Sequence, residues 1–355
     1  MSDPFQTRVT DIAFGGKGVA RDQGKVLFVP FVAPGELVTV RRVREKKKFA
    51  EAKLVSVDEA SPDRVEPRCR YFGRCGGCAY QHLAYPKQLE IKARQVEETL
   101  RRVGRLAEVP MQRIVPAPEP YEYRNRIRVH AAGGATGFFA CDAHSLIDIE
   151  ECPIAAPEVN RALQRLRQTP VRDGDYSLRA RGPGPFFEQT NPAVTQAMLS
   201  LVESLLKPGQ ELLVDAYCGG GLFARHLAPR FEKVIGIEEN TNAIEYARRQ
   251  AGVNEKYVQG EVSAVLGDVL SAHDARRSTV LLDPPATGVS PRVCDLLVGA
   301  RPAEIVYVSC NPATLARDLA ALTGTHELRS VTPLDMFPQT AEIEVVAYLA
   351  QRATR

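Results

Sequence analysis

Leu212-Leu213-Val214-Asp215-Ala216-Tyr217-Cys218-Gly219-Gly220-Gly221-Leu222 is an apolar run that breaks into a glycine loop and then resumes with helix-forming residues. A strand that feeds a glycine loop and a helix lets a nucleotide-like molecule approach the backbone closely. The next apolar run, Val234-Ile235-Gly236-Ile237-Glu238, ends in an acid. An acid about 20 positions beyond such a loop can accept ribose hydroxyls. The loop lacks the G-x-G-x-x-G that cradles a pyrophosphate, so the pair favours S-adenosylmethionine over a dinucleotide. From about residue 190, apolar strand candidates at 211–216, 233–238, 279–283, 304–309 and 342–349 alternate with helical stretches such as 241–251 and 313–322. This rhythm predicts a doubly wound, mostly parallel sheet.

Two of these strands end in chemistry. Leu281-Leu282-Asp283-Pro284-Pro285 puts a carboxylate on the side of an α/β sheet where ligands bind, although an Asp capping the following turn explains it equally simply. In Ile305-Val306-Tyr307-Val308-Ser309-Cys310-Asn311-Pro312-Ala313-Thr314 the thiol stands where a strand gives way to a helix, with Asn311 as cap and Pro312 at the first helical position. A helix N-terminus favours thiolate, whereas an unperturbed thiol, pKa about 8.5, is only a few per cent ionised near neutrality. Cys310 is the candidate nucleophile, against the alternative of a buried structural thiol.

Towards the N-terminus the pattern changes. Residues 8–12, 15–18, 25–29, 36–40 and 49–57 read as five short strands with Gly and Pro turns, a small barrel of the oligonucleotide-binding type. Between the last two lies Arg41-Arg42-Val43-Arg44-Glu45-Lys46-Lys47-Lys48, suited to phosphates or to a solvated hairpin tip. Residues 62–67 read as a linker. Residues 89–106 form an amphipathic packing helix with Leu89, Ile91, Val96, Leu100 and Val103 on its apolar side, and 121–150 alternate as strands, starting at the basic Tyr123-Arg124-Asn125-Arg126-Ile127-Arg128.

Cys69, Cys75 and Cys78 stand in one Gly-rich loop, with Cys152 much later. Four thiols can close a tetrahedral shell around zinc or an iron–sulfur cluster, and the single C-x2-C pair leans towards the cluster. The spacing is not the C-x3-C-x2-C of radical enzymes.

The 355 residues are 44% hydrophobic and 25% charged, which excludes a disordered chain and a disulfide-stapled scaffold and allows two or three domains. No run approaches the roughly 18 apolar residues of a membrane helix, and residues 1–8 lack the order of a signal peptide, so a cytoplasmic protein without membrane contact is expected. Residues 1–130 carry 25 Lys and Arg against 16 Asp and Glu, and residues 131–355 carry 21 against 27. A basic front half suggests that a polyanion is held there, although ordinary charge scatter also gives such a difference.

Taken together, the motifs resemble the RNA (uracil-5-)-methyltransferase family, S-adenosylmethionine-dependent enzymes that make 5-methyluridine, and most of all its 23S ribosomal RNA members. The most specific piece is Ser309-Cys310-Asn311-Pro312-Ala313-Thr314-Leu315-Ala316-Arg317-Asp318-Leu319, followed by Leu334-Asp335-Met336-Phe337-Pro338. The resemblance implies a TRAM barrel at 1–58, a small β-rich iron–sulfur domain at 59–187, whose helix at about 86–107 packs on the catalytic domain, and a Rossmann-like methyltransferase domain at 188–355. It implies that Cys69, Cys75, Cys78 and Cys152 hold a [4Fe-4S] cluster, with Cys141 and Cys294 as spectators. It gives Gln189 (in Phe187-Glu188-Gln189-Thr190-Asn191), Tyr217, Glu238 and Asp283 to the cofactor, Cys310 to nucleophilic attack on uracil C6, and Glu344 to the base. It also implies a monomer that holds RNA on residues 41–48 with Arg124, Arg126 and Arg128. Three positions depart from the family pattern: Ala286 replaces Arg after Asp-Pro-Pro, and Gln339 and Glu342 replace His. Rival readings are the same chemistry on the T-loop uridine of transfer RNA, a noncatalytic RNA-binding or ribosome-assembly factor, and an iron–sulfur thiolating enzyme with a TRAM domain. Cys310 and Glu344 speak against the noncatalytic factor, and the cysteine spacing against the thiolating enzyme.

Overall fold

The computed structural model describes residues 3–141, 145–180 and 189–353. The chain divides into two units, one from Met1–Gln95, Pro118–Gly182 and Phe337–Glu342, the other from Val96–Ala117, Pro183–Met336 and Ile343–Arg355. In the first unit, β1 (Phe5–Arg8), β2 (Asp11–Ile12), β3 (Lys17–Asp22), β4 (Lys25–Pro30), β5 (Leu37–Glu45) and β6 (Phe49–Glu59) pair in the order β1-β5-β6-β4-β3-β2. Period-2 alternation turns Ala20, Leu27, Val29, Val38, Val40 and Ala50 into one buried core. Of the expected strand at 15–18, Gly15 and Gly16 form a turn, with φ of 92° and 90°, and Lys17 and Gly18 open β3.

β5 runs on through Glu45, so only residues 46–48 of the basic run form an exposed hairpin tip. Arg42 is paired with Asp22, and Lys25 with Glu45. The expected linker at 62–67 is clamped to the barrel: Arg64 pairs with the buried Glu36 and donates to the Phe31 carbonyl at 2.9 Å. Burial pushes the Glu36 carboxyl up, but the Arg64 guanidinium and the Ala33 and Ser61 amides outweigh it and hold it below the usual range.

The helix α1 (Tyr85–Val103) places Ile91 in a small core with Ile12, Ala33, Tyr80 and Leu83, while Val96 and Leu100 belong to the large core of the second unit. Val103, expected on the apolar side, is 52% exposed. Further along, β7 (Arg126–Ala132), β8 (Ala135–Phe139), β9 (Leu146–Asp148) and β10 (Gly174–Arg179) form an antiparallel sheet in the order β10-β7-β8-β9. Its apolar face packs Ile127 and Val129 against Val159 and Leu163 of α2 (Pro157–Arg167).

The second unit is built on β11 (Leu212–Ala216), β12 (Lys233–Glu238), β13 (Glu255–Gln259), β14 (Ser278–Leu282), β15 (Glu304–Ser309), β16 (His326–Leu334) and β17 (Glu344–Gln351). They lie in the order β13-β12-β11-β14-β15-β17-β16, parallel except for β17, which runs against both its neighbours. The connecting helices are α3 (Pro192–Leu205), α4 (Leu222–Leu227), α5 (Thr241–Arg249), α6 (Val262–Ser271), α7 (Pro291–Ala300) and α8 (Pro312–Leu322). β11, β14 and β15 are buried at every position, as strands covered on both faces must be. Two strands were not expected, β13 and β16; β13, Glu-Lys-Tyr-Val-Gln, is an edge strand with little apolar signal. Among the described residues, no helix is long and apolar enough to cross a membrane.

Candidate active site

Parallel pairing sets β12, β11, β14 and β15 side by side with their C-terminal ends at one edge of the sheet. Because β17 runs the other way, its first residue lies at that same edge. Ser309, the last residue of β15, pairs with Val345, so Cys310 follows the end of β15 next to where β17 begins with Glu344. Across the edge the order is therefore Glu238, Tyr217, Asp283, Cys310 and Glu344. With strands about 4.8 Å apart, the three steps from Glu238 to Cys310 span roughly 14 Å. Cys310 is exposed and Glu344 is 3% exposed. Gln189 is half-buried, just ahead of Asn191, whose side chain caps α3 by accepting from the Val194 N–H at 3.3 Å. Residues 187 and 188 of its motif lie outside the described residues.

The glycine loop is held open by backbone geometry. Tyr217, Gly219 and Gly221 take φ of 66°, 51° and 81°, and a Cβ on Gly221 would stand 2.6 Å from the Tyr257 hydroxyl. The Glu238 carboxylate accepts from the Gly219 N–H at 3.0 Å and from the Asn240 N–H at 2.7 Å, tying the loop to the next strand. Behind the loop, Asp215 is fully buried; its Oδ2 accepts from the Ala224 N–H at 2.8 Å, and its Oδ1 has no partner among the described residues. Burial pushes Asp215 up to about 8, helped by the charges of Asp283 and Glu238, and burial pushes Asp283 up to about 7.

The turn after Asp283 is fastened to α8. Asn311 and Thr314 donate to the Ala286 carbonyl at 3.0 and 3.1 Å, and Arg317 donates to the Thr287 and Val289 carbonyls, each at 3.1 Å. Asp318, 2% exposed, accepts from the Val289 N–H at 3.0 Å and from the Tyr307 hydroxyl at 2.7 Å. Asn311 also caps α8, accepting from the Ala313 N–H at 3.0 Å. Asp283 and Cys310 therefore sit on one braced segment. Asp318 and Asp215 fall outside the expected site residues; for Asp215 the signal was a carboxylate within an otherwise apolar run.

In the first unit the fold brings Cys152 to Cys69, Cys75 and Cys78. Burial pushes the Cys78 thiol up to about 12 and the Cys152 thiol up to about 11, and the charges of the other cysteines push the same way. Among the described residues no group of three His, Cys, Asp or Glu stands at metal-ligating geometry. The donor set is four soft thiols within electrostatic reach of one another, which fits zinc or an iron–sulfur cluster in kind.

Residues 266–352 match the family described as tRNA (Uracil-5-)-methyltransferase, and residues 5–62 match the TRAM domain of tRNA (uracil(54)-C(5))-methyltransferase. An uncharacterized RNA methyltransferase of Thermosynechococcus vestitus is 30% identical over 97% of each chain. One of Bdellovibrio bacteriovorus is 32% identical over 98% of this chain and 95% of its own. The chain belongs to the S-adenosylmethionine-dependent RNA (uracil-5-)-methyltransferase family. Among solved structures, the Pyrococcus abyssi tRNA (uracil-54, C5)-methyltransferase in complex with S-adenosyl-L-homocysteine is 26% identical, with a TM-score of 0.72 over 98% of this chain and 100% of that one.

The three departures from the methyltransferase pattern have visible settings. Ala286 is exposed and contributes its carbonyl to the α8 brace. Gln339, at φ 70°, is 2% exposed; its Oε1 accepts from Gln88 Nε2 at 3.0 Å, its backbone N–H donates to Gln88 Oε1 at 3.1 Å, and its carbonyl accepts from the Ala79 and Tyr80 N–H groups. It is a packing residue of the first unit. Glu342 is exposed. Of the remaining thiols, Cys294 is buried and pushed up to about 11, and Cys141 donates to the Cys75 carbonyl at 3.3 Å.

Proposed function

We propose that this methyltransferase methylates C5 of a uridine in RNA with Cys310 as nucleophile and Glu344 as base. The supporting observation is that an exposed thiol directly after β15 and a buried carboxyl side chain at the first residue of β17 flank the Ser309–Val345 pair, at the sheet edge that also carries the Glu238, Tyr217 and Asp283 strand ends. S-adenosylmethionine, when bound, supplies the methyl group on an electrophilic sulfonium. Gln189, Tyr217, Glu238 and Asp283 are the residues that would hold it. A cationic ligand favours the ionised form of Asp283, whose carboxyl burial pushes up to about 7.

Uracil C5 is a poor nucleophile on its own. Cys310, after releasing its proton, adds to C6, and the C5–C6 electron pair moves so that C5 becomes an enolate carbon able to take the methyl group. Glu344 then removes the C5 proton, the C5–C6 double bond re-forms, and the Cys310 thiolate leaves. The brace between α8 and the Asp283 turn keeps the reacting groups in place, which is where positioning contributes rate. A stacked base cannot reach this edge, so the uridine is flipped out, at a cost of a few kcal/mol that binding offsets. Residues 41–48 of the barrel, with Arg124, Arg126 and Arg128, hold the strand. Cys69, Cys75, Cys78 and Cys152 are the residues that would hold a [4Fe-4S] cluster, which would serve folding rather than the transfer.

The substrate read first is 23S ribosomal RNA, on the resemblance of the four-cysteine, three-domain arrangement. The T-loop uridine of transfer RNA is the second reading, favoured by the likeness to the Pyrococcus abyssi enzyme and by the TRAM match. The test is methyl transfer from labelled S-adenosylmethionine to unmethylated ribosomal and transfer RNA side by side, with anaerobically purified wild type and Cys310→Ala. Label in one RNA, absent with the variant, is expected and names the substrate. No label in either, with iron content intact, overturns the catalytic reading in favour of an RNA-binding factor.

A further inference from the structure

The sheet β10-β7-β8-β9 has one face packed under α2 and an opposite face on which Arg128 and Phe139 are exposed. Along β7, Ile127 and Val129 go into the core with Val159 and Leu163 of α2, so Arg126, Arg128 and His130 point the opposite way. Register places Arg179, Ser177 and Asp175 of β10 opposite these three, on the same face. On the other side Gly137 of β8 stands opposite His130 without a side chain, and Phe139 follows two residues later. The Phe139 ring lies 4.3 Å from the His130 ring at 40°, and Phe139 is 47% exposed. Asp175 accepts from His130 Nδ1 at 2.6 Å and from Arg128, which orients the imidazole while the Arg128 side chain stays 69% exposed.

An aromatic pair held half in solvent among three arginines is a poor way to finish a sheet and a good way to receive a nucleobase. Unpaired bases stack on aromatic and histidine rings, and the phosphates on either side suit arginine. Double-stranded RNA buries its base faces and offers nothing for Phe139 to stack on, so an unpaired segment fits better. A partner protein would meet arginines and, among the described residues of these four strands, one exposed large apolar side chain, Phe139.

We propose that the open face of β10-β7-β8-β9 is an RNA platform on which an unpaired base of the substrate stacks against Phe139, with flanking phosphates on Arg126, Arg128 and Arg179. This rests on the reading above that the chain acts on RNA, and it adds a contact separate from the strand-end residues that carry the chemistry.

The chain contains no tryptophan, so Phe139→Trp makes the platform its own reporter. The full-length variant is titrated with unmethylated ribosomal and transfer RNA, while the anisotropy of end-labelled RNA reports binding independently. Val253→Trp, at a fully exposed turn, serves as control. The expected result is saturable quenching of the Phe139→Trp emission at the concentration where anisotropy saturates, with Val253→Trp unchanged. Phe139→Ala should bind about tenfold more weakly and raise KM with little change in kcat, and Phe139→Tyr should restore both. RNA that binds and is methylated while Phe139→Trp stays silent and Phe139→Ala matches wild type overturns the platform alone. Absence of any RNA binding by wild-type protein overturns the platform together with the functional reading. Folding of each variant is checked by circular dichroism, and the Phe139→Trp titration keeps the test valid should Phe139→Ala misfold.

Discussion

Cys310 and Glu344 differ in exposure in the way their proposed roles require: the nucleophile must reach a substrate, and the base works best screened from water. Cys310→Ala should lower methyl transfer by roughly a thousandfold or more while leaving RNA affinity within about twofold, read by labelled-methyl transfer and anisotropy. Glu344→Gln should form the thioether to C6 and fail to resolve it, leaving protein–RNA adducts that survive denaturing electrophoresis; an adduct-free variant would remove Glu344 from the role of base. Asp215 gives a prediction independent of substrate. Its carboxyl is pushed up to about 8 in the folded chain, against about 4 for an unfolded one. Between those values the folded state holds the extra proton, so the stability Asp215 contributes is complete below about pH 4 and lost as pH rises towards 8. Melting series from about pH 5 to about pH 9 should show wild type losing more stability than Asp215→Asn, and parallel curves would contradict the linkage.

At the level of elements, the brace between α8 and the turn after Asp283 is the feature most open to test. Asp318 is buried and accepts from Tyr307, Val289 and Arg317 at once. Asp318→Ala leaves those donors unpaired and should cost about 3 kcal/mol or more in denaturant unfolding, whereas Tyr307→Phe should cost about 1 kcal/mol. Asn311→Ala, which loses the α8 cap and the bond to Ala286, should cost about 1 kcal/mol and slow transfer more than it weakens RNA binding. The helix itself was legible because cap, Pro at the first position and apolar spacing all agree there. β13 was not, since an edge strand with polar residues on its open side carries little alternation. Gly15 and Gly16 misled for the opposite reason: they lead straight into β3, and only their left-handed backbone makes the turn.

For the whole molecule, RNA binding that rests on phosphate contacts must weaken with salt. A plot of log affinity against log salt should be linear, and replacing Lys46, Lys47 and Lys48 by Ala should shrink its slope by up to about one per lysine that touches a phosphate. A slope unchanged by all three would confine phosphate binding to other surfaces. Removing iron with a chelator, or Cys78→Ser, should lower the melting temperature and RNA affinity together, as expected when metal binding and folding are coupled. Retention of both would deny the cluster a folding role. Residues 62–67, a linker by local sequence, are tied down over a long chain distance, since Arg64 pairs with the buried Glu36.

The sequence by itself determined what depends on neighbours along the chain. The glycine loop, the acid closing β12, the Asp-Pro-Pro strand end, the capped helix after Cys310 and the alternation of strand with helix are all local patterns of period, backbone freedom and capping. Tertiary structure alone decided what depends on pairing between distant segments. The antiparallel entry of β17 brings Glu344 to the end of β15 that Cys310 follows, Asp318 reaches back to hold the Asp283 turn, Cys152 joins a loop far earlier in the chain, and Gln339 becomes a packing residue against Gln88. Register and burial at such distances are set by how whole faces of the sheet exclude water together, and no short window of sequence carries that information.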